Sequence, residues 1–283
     1  MRIALAQTNI IWEDKQANLV RAEKFVIAAD AEIVLFPEMS LTGFSMHTDV
    51  TAEICQPDAE VQSREQMDIT PSMAKLPTTG WTIEQVSSLA RRHRKTIGIG
   101  WVKKAEPLCE NHYSIVTPDG KIAMDYAKIH PFSYGEEHAH FRGGEKLCTG
   151  RLGEFQAGLA ICYDLRFPEQ FRAMVPEAEI FIVPANWPAA RTPHWKTLLA
   201  ARAIENQCYV VGVNCCGSMD DQYYSGDSGI YAPDGSLLVP VKETRLWDSC
   251  MEETLLVYDI QNDVAKTRNA FPVLQDRKEM KRS

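Results

Sequence analysis

Two stretches decide the fold: Ala31-Glu32-Ile33-Val34-Leu35-Phe36-Pro37 and Ala178-Glu179-Ile180-Phe181-Ile182-Val183-Pro184. Each is a short apolar run stopped by proline, the pattern of a strand buried on both faces in a parallel sheet. The two runs also echo one another. Pro118-Asp119-Gly120 and Pro233-Asp234-Gly235 repeat in the same order, and both read as hairpin turns in which glycine supplies a positive φ. The offsets within the two pairs are unequal, which excludes a solenoid of fixed period. Two similar halves sharing one core fit this pattern; chance resemblance of short β segments is the competing reading.

Working outward, helix and strand signals alternate. Residues 18–29 carry Leu19, Ala22, Val26 and Ala29 at helical spacing, and 82–94 carry Ile83, Val86, Leu89 and Ala90 on one stripe. Residues 168–174 and 193–206 predict two more helices, the first opening on Pro168 at a position where a missing N–H is tolerated. Strands are predicted at 3–7, 96–102, 111–117, 121–126, 156–162, 209–214, 229–232 and 255–260. The alternation defines an α/β chain. Residues 44–79 keep no period and read as a long surface loop, one that could serve as a lid. One core domain is expected over 1–262. Residues 263–283 form a charged C-terminal tail that crosses the surface or a neighbouring subunit.

Composition narrows the function. The 283 residues carry a net charge of −8, which argues against a nucleic-acid partner, since polyphosphate wants a basic face. No apolar stretch approaches a membrane span, and residues 1–7 are expected to open a strand, since they lack the long apolar run of a signal peptide. The eight cysteines show no CxxC spacing, so zinc-ribbon and thioredoxin readings fail. They are expected as reduced thiols in a cytoplasmic protein.

Three reactive side chains follow predicted strands: Glu38 after Leu35-Phe36-Pro37, Lys128 after 121–126, and Cys162 at the end of Gly158-Leu159-Ala160-Ile161. In open α/β sheets, ligands sit at the carboxyl ends of strands. A carboxylate, an ammonium and a thiol meeting there make a nucleophilic site. Glu38 can take the thiol proton; Lys128 can favour the thiolate and stabilise an oxyanion.

Here the chain resembles a family. Phe36-Pro37-Glu38-Met39-Ser40-Leu41-Thr42-Gly43-Phe44, Lys128-Ile129-His130-Pro131-Phe132 and Cys162-Tyr163-Asp164-Leu165-Arg166-Phe167-Pro168-Glu169 resemble the three signature regions of the nitrilase superfamily, the carbon–nitrogen hydrolases with a Glu–Lys–Cys triad. Pro184-Ala185-Asn186-Trp187-Pro188 and Ala201-Arg202-Ala203-Ile204-Glu205-Asn206 also match. The resemblance implies a four-layer α-β-β-α sandwich, a homodimer or higher homo-oligomer, and no cofactor. It also implies a fourth polar residue in a Glu-x-x-x-Phe-x-x-Gly pattern, which selects Glu137 over Glu136.

The nucleophile segment, Ala-Asn-Trp-Pro, Ala-Arg-Ala-Ile-Glu-Asn, the Gly-Asp-Ser at 226–228 and Phe271-Pro272 look most like the ω-amidase group. That resemblance implies hydrolysis of the terminal amide of small 2-oxo acid amides such as 2-oxoglutaramate, through a cysteine thioester. Lys128 and the Tyr163 N–H would hold the oxyanion, and Glu137 would position Lys128 or the substrate amide. Arg166, Arg191 and His194 are candidates to grip a substrate carboxylate. Asn186, Trp187, Phe44 and Tyr134 are candidates for the pocket wall. The loop at 44–79 departs from the group in length. Other readings are an amidase for deaminated glutathione or N-carbamoyl compounds, acyl transfer to an amine, and a catalytically silent binding protein.

The plainer readings stand beside these. Seven cysteines are expected to be core thiols. Arg166 could form an internal ion pair. His130, His138 and His140 are expected as loop histidines and not zinc ligands, because zinc needs a set of three protein ligands and an open position. Gly226-Asp227-Ser228-Gly229 echoes a serine-protease segment but lacks the partner histidine motif, so it reads as a turn.

Overall fold

The computed structural model describes residues 1–55, 80–247 and 252–278. Most of the stretch read as a lid, and Cys250, therefore lie outside the described residues. In chain order the first half runs β1 (Arg2–Gln7), α1 (Lys15–Ala28), β2 (Ile33–Leu35), α2 (Thr48–Thr51), α3 (Trp81–His93), β3 (Thr96–Lys103), β4 (Glu110–Val116), β5 (Ile122–Ala127) and α4 (Glu137–His140). The second runs β6 (Thr149–Leu152), β7 (Phe155–Leu159), α5 (Pro168–Met174), β8 (Ile180–Ala185), α6 (Thr192–Asn206), β9 (Tyr209–Asn214), β10 (Cys216–Met219), β11 (Gln222–Ser225) and β12 (Gly229–Tyr231). The chain continues with β13 (Lys242–Thr244), β14 (Thr254–Asp259) and α7 (Val264–Ala270).

The strands form a seven-stranded sheet, β13-β14-β1-β2-β3-β4-β5, a five-stranded sheet, β12-β9-β8-β7-β6, and the hairpin β10-β11. In the first sheet β1, β2 and β3 are parallel; in the second, β7, β8 and β9 are. The echo seen in the sequence is structural. The series β1-α1-β2-α3-β3-β4 corresponds to β7-α5-β8-α6-β9-β12, with an antiparallel strand added to the third parallel one in each half. The two Pro-Asp-Gly turns match bond for bond. Thr117 N–H donates to Lys121 O at 2.8 Å, as Ala232 N–H does to Ser236 O at 2.8 Å. Gly120 and Gly235 supply φ values of 78° and 85°.

Alternation along the strands builds the layers. Ala4, Ala6, Val34 and Phe36 pack with Phe25 and Val26 of α1 and Ile83 and Val86 of α3. Their strand neighbours Ile3, Leu5, Ile33 and Leu35 join Leu159, Ile182 and Val211 of the other sheet. That second sheet carries α5 and α6 through Phe171, Met174, Trp195 and Leu199. The result is the four-layer α-β-β-α sandwich. No helix among the described residues is long and apolar enough to cross a membrane.

Some expectations change. The strand predicted over 156–162 ends at Leu159; residues 162–166 form a 3₁₀ turn instead, opened by Cys162 at φ 47°. His138 and His140, expected in a loop, lie on the short helix α4. Residues 44–55, the described part of the 44–79 stretch, include α2, and Glu53 pairs with Lys103 in an isolated parallel bridge. Within residues 263–283, α7 buries Val264 in the core. The Arg268 guanidinium donates to the carbonyls of Pro176, Ala178, Asn206 and Gln207.

Candidate active site

Glu38 reaches the site because the chain leaving β2 runs unusually close to β3. Phe36 N–H donates to Gly98 O and Ser40 N–H to Gly100 O, at 2.9 and 3.0 Å. A Cβ on Gly100 would press on Met39 N and lie 2.7 Å from Pro37 O, so glycine is what permits this approach. The Glu38 side chain is fully buried. Its Oε1 accepts from Lys128 Nζ at 2.9 Å and from Asn111 Nδ2 at 2.8 Å, and its Oε2 accepts from Asn186 N–H at 2.9 Å.

Lys128 follows β5, tied by its N–H to Asn111 O at 2.8 Å. Its buried ammonium also donates to Glu137 Oε2 at 2.8 Å and Oε1 at 3.1 Å. Glu137 opens α4, and its Oε2 accepts from Phe132 N–H at 2.6 Å. Glu136 is exposed on the other side of that turn. Asn111 joins the two carboxylates, donating to Glu137 Oε1 at 3.1 Å as well as to Glu38.

One ammonium between two buried carboxylates sets the electrostatics. Burial alone would lower the Lys128 pKa, but the charges of Glu137 and Glu38 outweigh it and hold the ammonium well above its usual range. Burial raises the Glu137 pKa; Lys128 opposes and Glu38 adds to that rise. The Cys162 thiol is pushed well above its ordinary value by burial and then by Glu38, with Lys128 opposing. The resting nucleophile is therefore a thiol with a carboxylate beside it, an arrangement suited to general-base activation.

Cys162 is presented by the turn it begins. Its left-handed φ of 47° is costly for a residue with a side chain. The Asp164 carboxylate, completely buried, locks the turn. It accepts from Ile161 N–H at 2.9 Å, His130 N–H at 3.0 Å and Tyr126 OH at 2.8 Å, and lies 2.8 Å from His130 Nδ1. His130 stacks on Phe167 at 3.7 Å. The nucleophile turn and the segment just after Lys128 are thus tied through one carboxylate.

Cys162 and Lys128 open onto a cavity of about 560 Å³. Phe44, Tyr163, Arg166, Asn186, Trp187 and Arg191 line it, as does Tyr134. Arg166 lies over the Trp187 ring at 4.8 Å, and Arg191 over Phe132 and Tyr134 at 5.6 and 5.3 Å. His194 is the exception. It lies outside the lining, its Nδ1 3.3 Å from Arg166 Nη2, so it braces that guanidinium and does not itself face the cavity.

Asn111, Asn214 and Tyr224 had no part in the sequence reading. Asn214 holds Trp187 from both sides, accepting from its N–H at 2.7 Å and donating to its carbonyl at 3.0 Å. Asn111 and Asn214 are polar residues at the ends of predicted strands, where alternation does not separate a side chain facing water from one facing a buried site. Tyr224 carries no signal either, because the hairpin β10-β11 was not predicted. Gly226-Asp227-Ser228 is a turn with two left-handed residues; its Ser228 hydroxyl accepts from Asn214 N–H. Among the described residues no cluster of three or more His, Cys, Asp or Glu is placed to hold a metal ion. The described cysteines are free.

The carbon–nitrogen hydrolase family profile matches residues 2–269. The chain belongs to this family. It is 31% identical over 281 residues, covering 98% of this chain and 96% of the relative, to a protein of Yersinia enterocolitica named omega-amidase YafV. It is 29% identical to the 2-oxoglutaramate amidase of Bacillus subtilis, covering 97% and 96% of the two chains. Among solved structures it resembles XC1258 from Xanthomonas campestris, a CN-hydrolase superfamily protein with an arsenic adduct in the active site. The TM-score is 0.81 at 27% identity, covering 100% of this chain and 99% of the other.

Proposed function

We propose that the protein is an amidase of the ω-amidase type. It hydrolyses the terminal amide of small 2-oxo acid amides, 2-oxoglutaramate and its close analogues, to the acid and ammonia. The observation that carries this reading is the convergence of Glu38, Lys128 and Cys162 at a cavity whose wall holds two arginines. The ω-amidase and 2-oxoglutaramate amidase relatives support the substrate.

In this reading Cys162 Sγ attacks the amide carbon while Glu38 takes the thiol proton. The carbonyl π pair moves to oxygen, and Lys128 with the Tyr163 N–H holds the oxyanion. Collapse of the adduct breaks the C–N bond, and Glu38 returns its proton to the leaving nitrogen, which departs as ammonia. Glu38 then takes a proton from water as the hydroxyl attacks the thioester; collapse of that adduct breaks the C–S bond, and Glu38 returns the proton to Cys162 Sγ, which leaves as the thiol. Glu137 acts through Lys128, fixing its ammonium with two hydrogen bonds. Arg166 and Arg191 take the substrate carboxylate, the planar guanidinium matching its two oxygens. The reading includes a homodimer in the cytoplasm, supported by the family resemblance and by the buried thiols.

Ammonia release from a panel of amides tests the assignment. Turnover of 2-oxoglutaramate and 2-oxosuccinamate well above that of carbamoyl and peptide-like amides is expected. Silence on the oxo-acid amides, with turnover of the others, would overturn it.

A further inference from the structure

The mechanism above gives no task to one tyrosine of the cavity wall. Tyr224, on β11, is 4% exposed and lines the same cavity as Cys162. Its ring is fixed by packing against Ile10, Cys215 and Met219, with Trp12 beside them. The hairpin that carries it is held in register, Tyr224 opposite Gly217 and Gln222 opposite Met219.

The Tyr224 hydroxyl has no hydrogen-bond partner among the described residues. Two other buried tyrosines near the site differ: Tyr113 donates to Phe36 O at 2.9 Å and Tyr126 to Asp164 at 2.8 Å. A cavity-wall hydroxyl that no protein group occupies is open to an acceptor on a ligand. A group held rigidly and left unpaired at the wall of a ligand cavity is suited to pair with the ligand. Burial, then the neighbouring Cys215, Cys162 and Glu38, pushes this phenol above its ordinary range. It therefore stays a neutral donor at all working pH values.

The chemistry of the wall divides the substrate's oxygens. Arg166 and Arg191 match a carboxylate; a neutral phenol matches a neutral carbonyl. Resting on the ω-amidase reading, we infer that the Tyr224 hydroxyl donates a hydrogen bond to the 2-oxo oxygen of the substrate and is the residue that selects oxo-acid amides over their deoxo counterparts.

The test compares 2-oxoglutaramate with glutaramate, the same chain lacking the keto oxygen, in wild type and Tyr224→Phe. Phenylalanine keeps the ring packing and removes only the donor. The wild type is expected to prefer 2-oxoglutaramate. In the variant, kcat/KM for 2-oxoglutaramate is expected to fall about ten-fold or more, the scale of a lost specific hydrogen bond. Glutaramate turnover should stay within about two-fold, which also reports an intact triad and fold. Equal losses on both amides, no loss on either, or a wild type without preference would overturn the assignment of Tyr224. A wild type inactive on 2-oxoglutaramate but active on other amides would overturn the functional reading itself.

Discussion

Glu38 is surrounded by donors alone: an ammonium, a side-chain amide and a backbone N–H. Such a carboxylate can accept a proton from the thiol only while its donors keep it in place. Glu38→Gln retains the size and removes the basicity. We expect kcat to fall by about 10²-fold or more, the usual share of a general base, with KM close to wild type. Turnover within a factor of a few would exclude Glu38 as the base. The amide nitrogen must also face a donor in this donor-only cage, costing about 1–3 kcal/mol, so Tm should drop as well.

At this scale Glu38, Lys128 and Cys162 were legible because each follows a recognisable strand. Asn111 was not, since alternation along a strand cannot distinguish a polar residue facing water from one facing a buried site. His194 stands behind Arg166 and outside the lining, which spacing could not tell: it shows which residues share a loop, not which of them reaches the cavity.

Among the elements, β3 governs the site without contributing a reacting group. Its Gly100 lets the Glu38 segment lie against the sheet. Gly100→Ala should therefore push that segment away. We expect a loss of about 1–3 kcal/mol from overpacking, together with a fall in kcat in protein that still folds. A fully active Gly100→Ala would show that the close approach is dispensable.

β4 and β5 carry a second electrostatic device next to Asn111. His112 lies between Asp125 and Glu110, its ring nitrogens 3.0 and 3.1 Å from their carboxylates. Burial lowers the His112 pKa, but those two carboxylates outweigh it and raise it. The raised folded value means that the imidazolium stabilises the fold below the ordinary histidine pKa of about 6.5, and that this contribution disappears as pH rises through the higher folded value. Asp125 and Glu110 have lowered values, so their contribution holds above the usual carboxylate range and fades on acidification. The Tm difference between wild type and His112→Gln should thus be largest near about pH 5.5 and shrink above neutrality. A difference independent of pH would assign His112 a packing role only.

Long periodic elements such as α3 and α6 were evident in the sequence. The strand ending at Leu159 was overextended, because the apolar run continues through Ile161 into the turn that Asp164 imposes. Elements of three or four residues, such as α4, β10 and β13, are too short to show a period.

The whole molecule is two related halves pressed face to face, and the site lies where the carboxyl ends of their parallel strands converge. Glu38 comes from the first half, Cys162 and Asn186 from the second, and the hydrogen bonds between Glu38 and Asn186 cross that junction. This explains why the paired proline-stopped runs predicted both the architecture and the place of the chemistry. It also explains what they left out: the cavity's polar wall includes the β10-β11 hairpin, which has no counterpart among the described residues of the first half.

Far from the site, α7 fastens the second half through Arg268, whose guanidinium meets four carbonyls. Arg268→Ala should cost about 1–3 kcal/mol, or several degrees in Tm, because those acceptors lose their donor. kcat/KM should be unchanged. A loss of activity without loss of stability would show that α7 communicates with the cavity.

The most direct test of Cys162 as the nucleophile is the intact mass of enzyme quenched in acid during turnover of 2-oxoglutaramate, with the adduct mapped by peptide. The account predicts one acyl group, on Cys162, that disappears when substrate is exhausted, and no ammonia release by Cys162→Ala. Sustained turnover by Cys162→Ala, or an acyl group on any other residue, would contradict it.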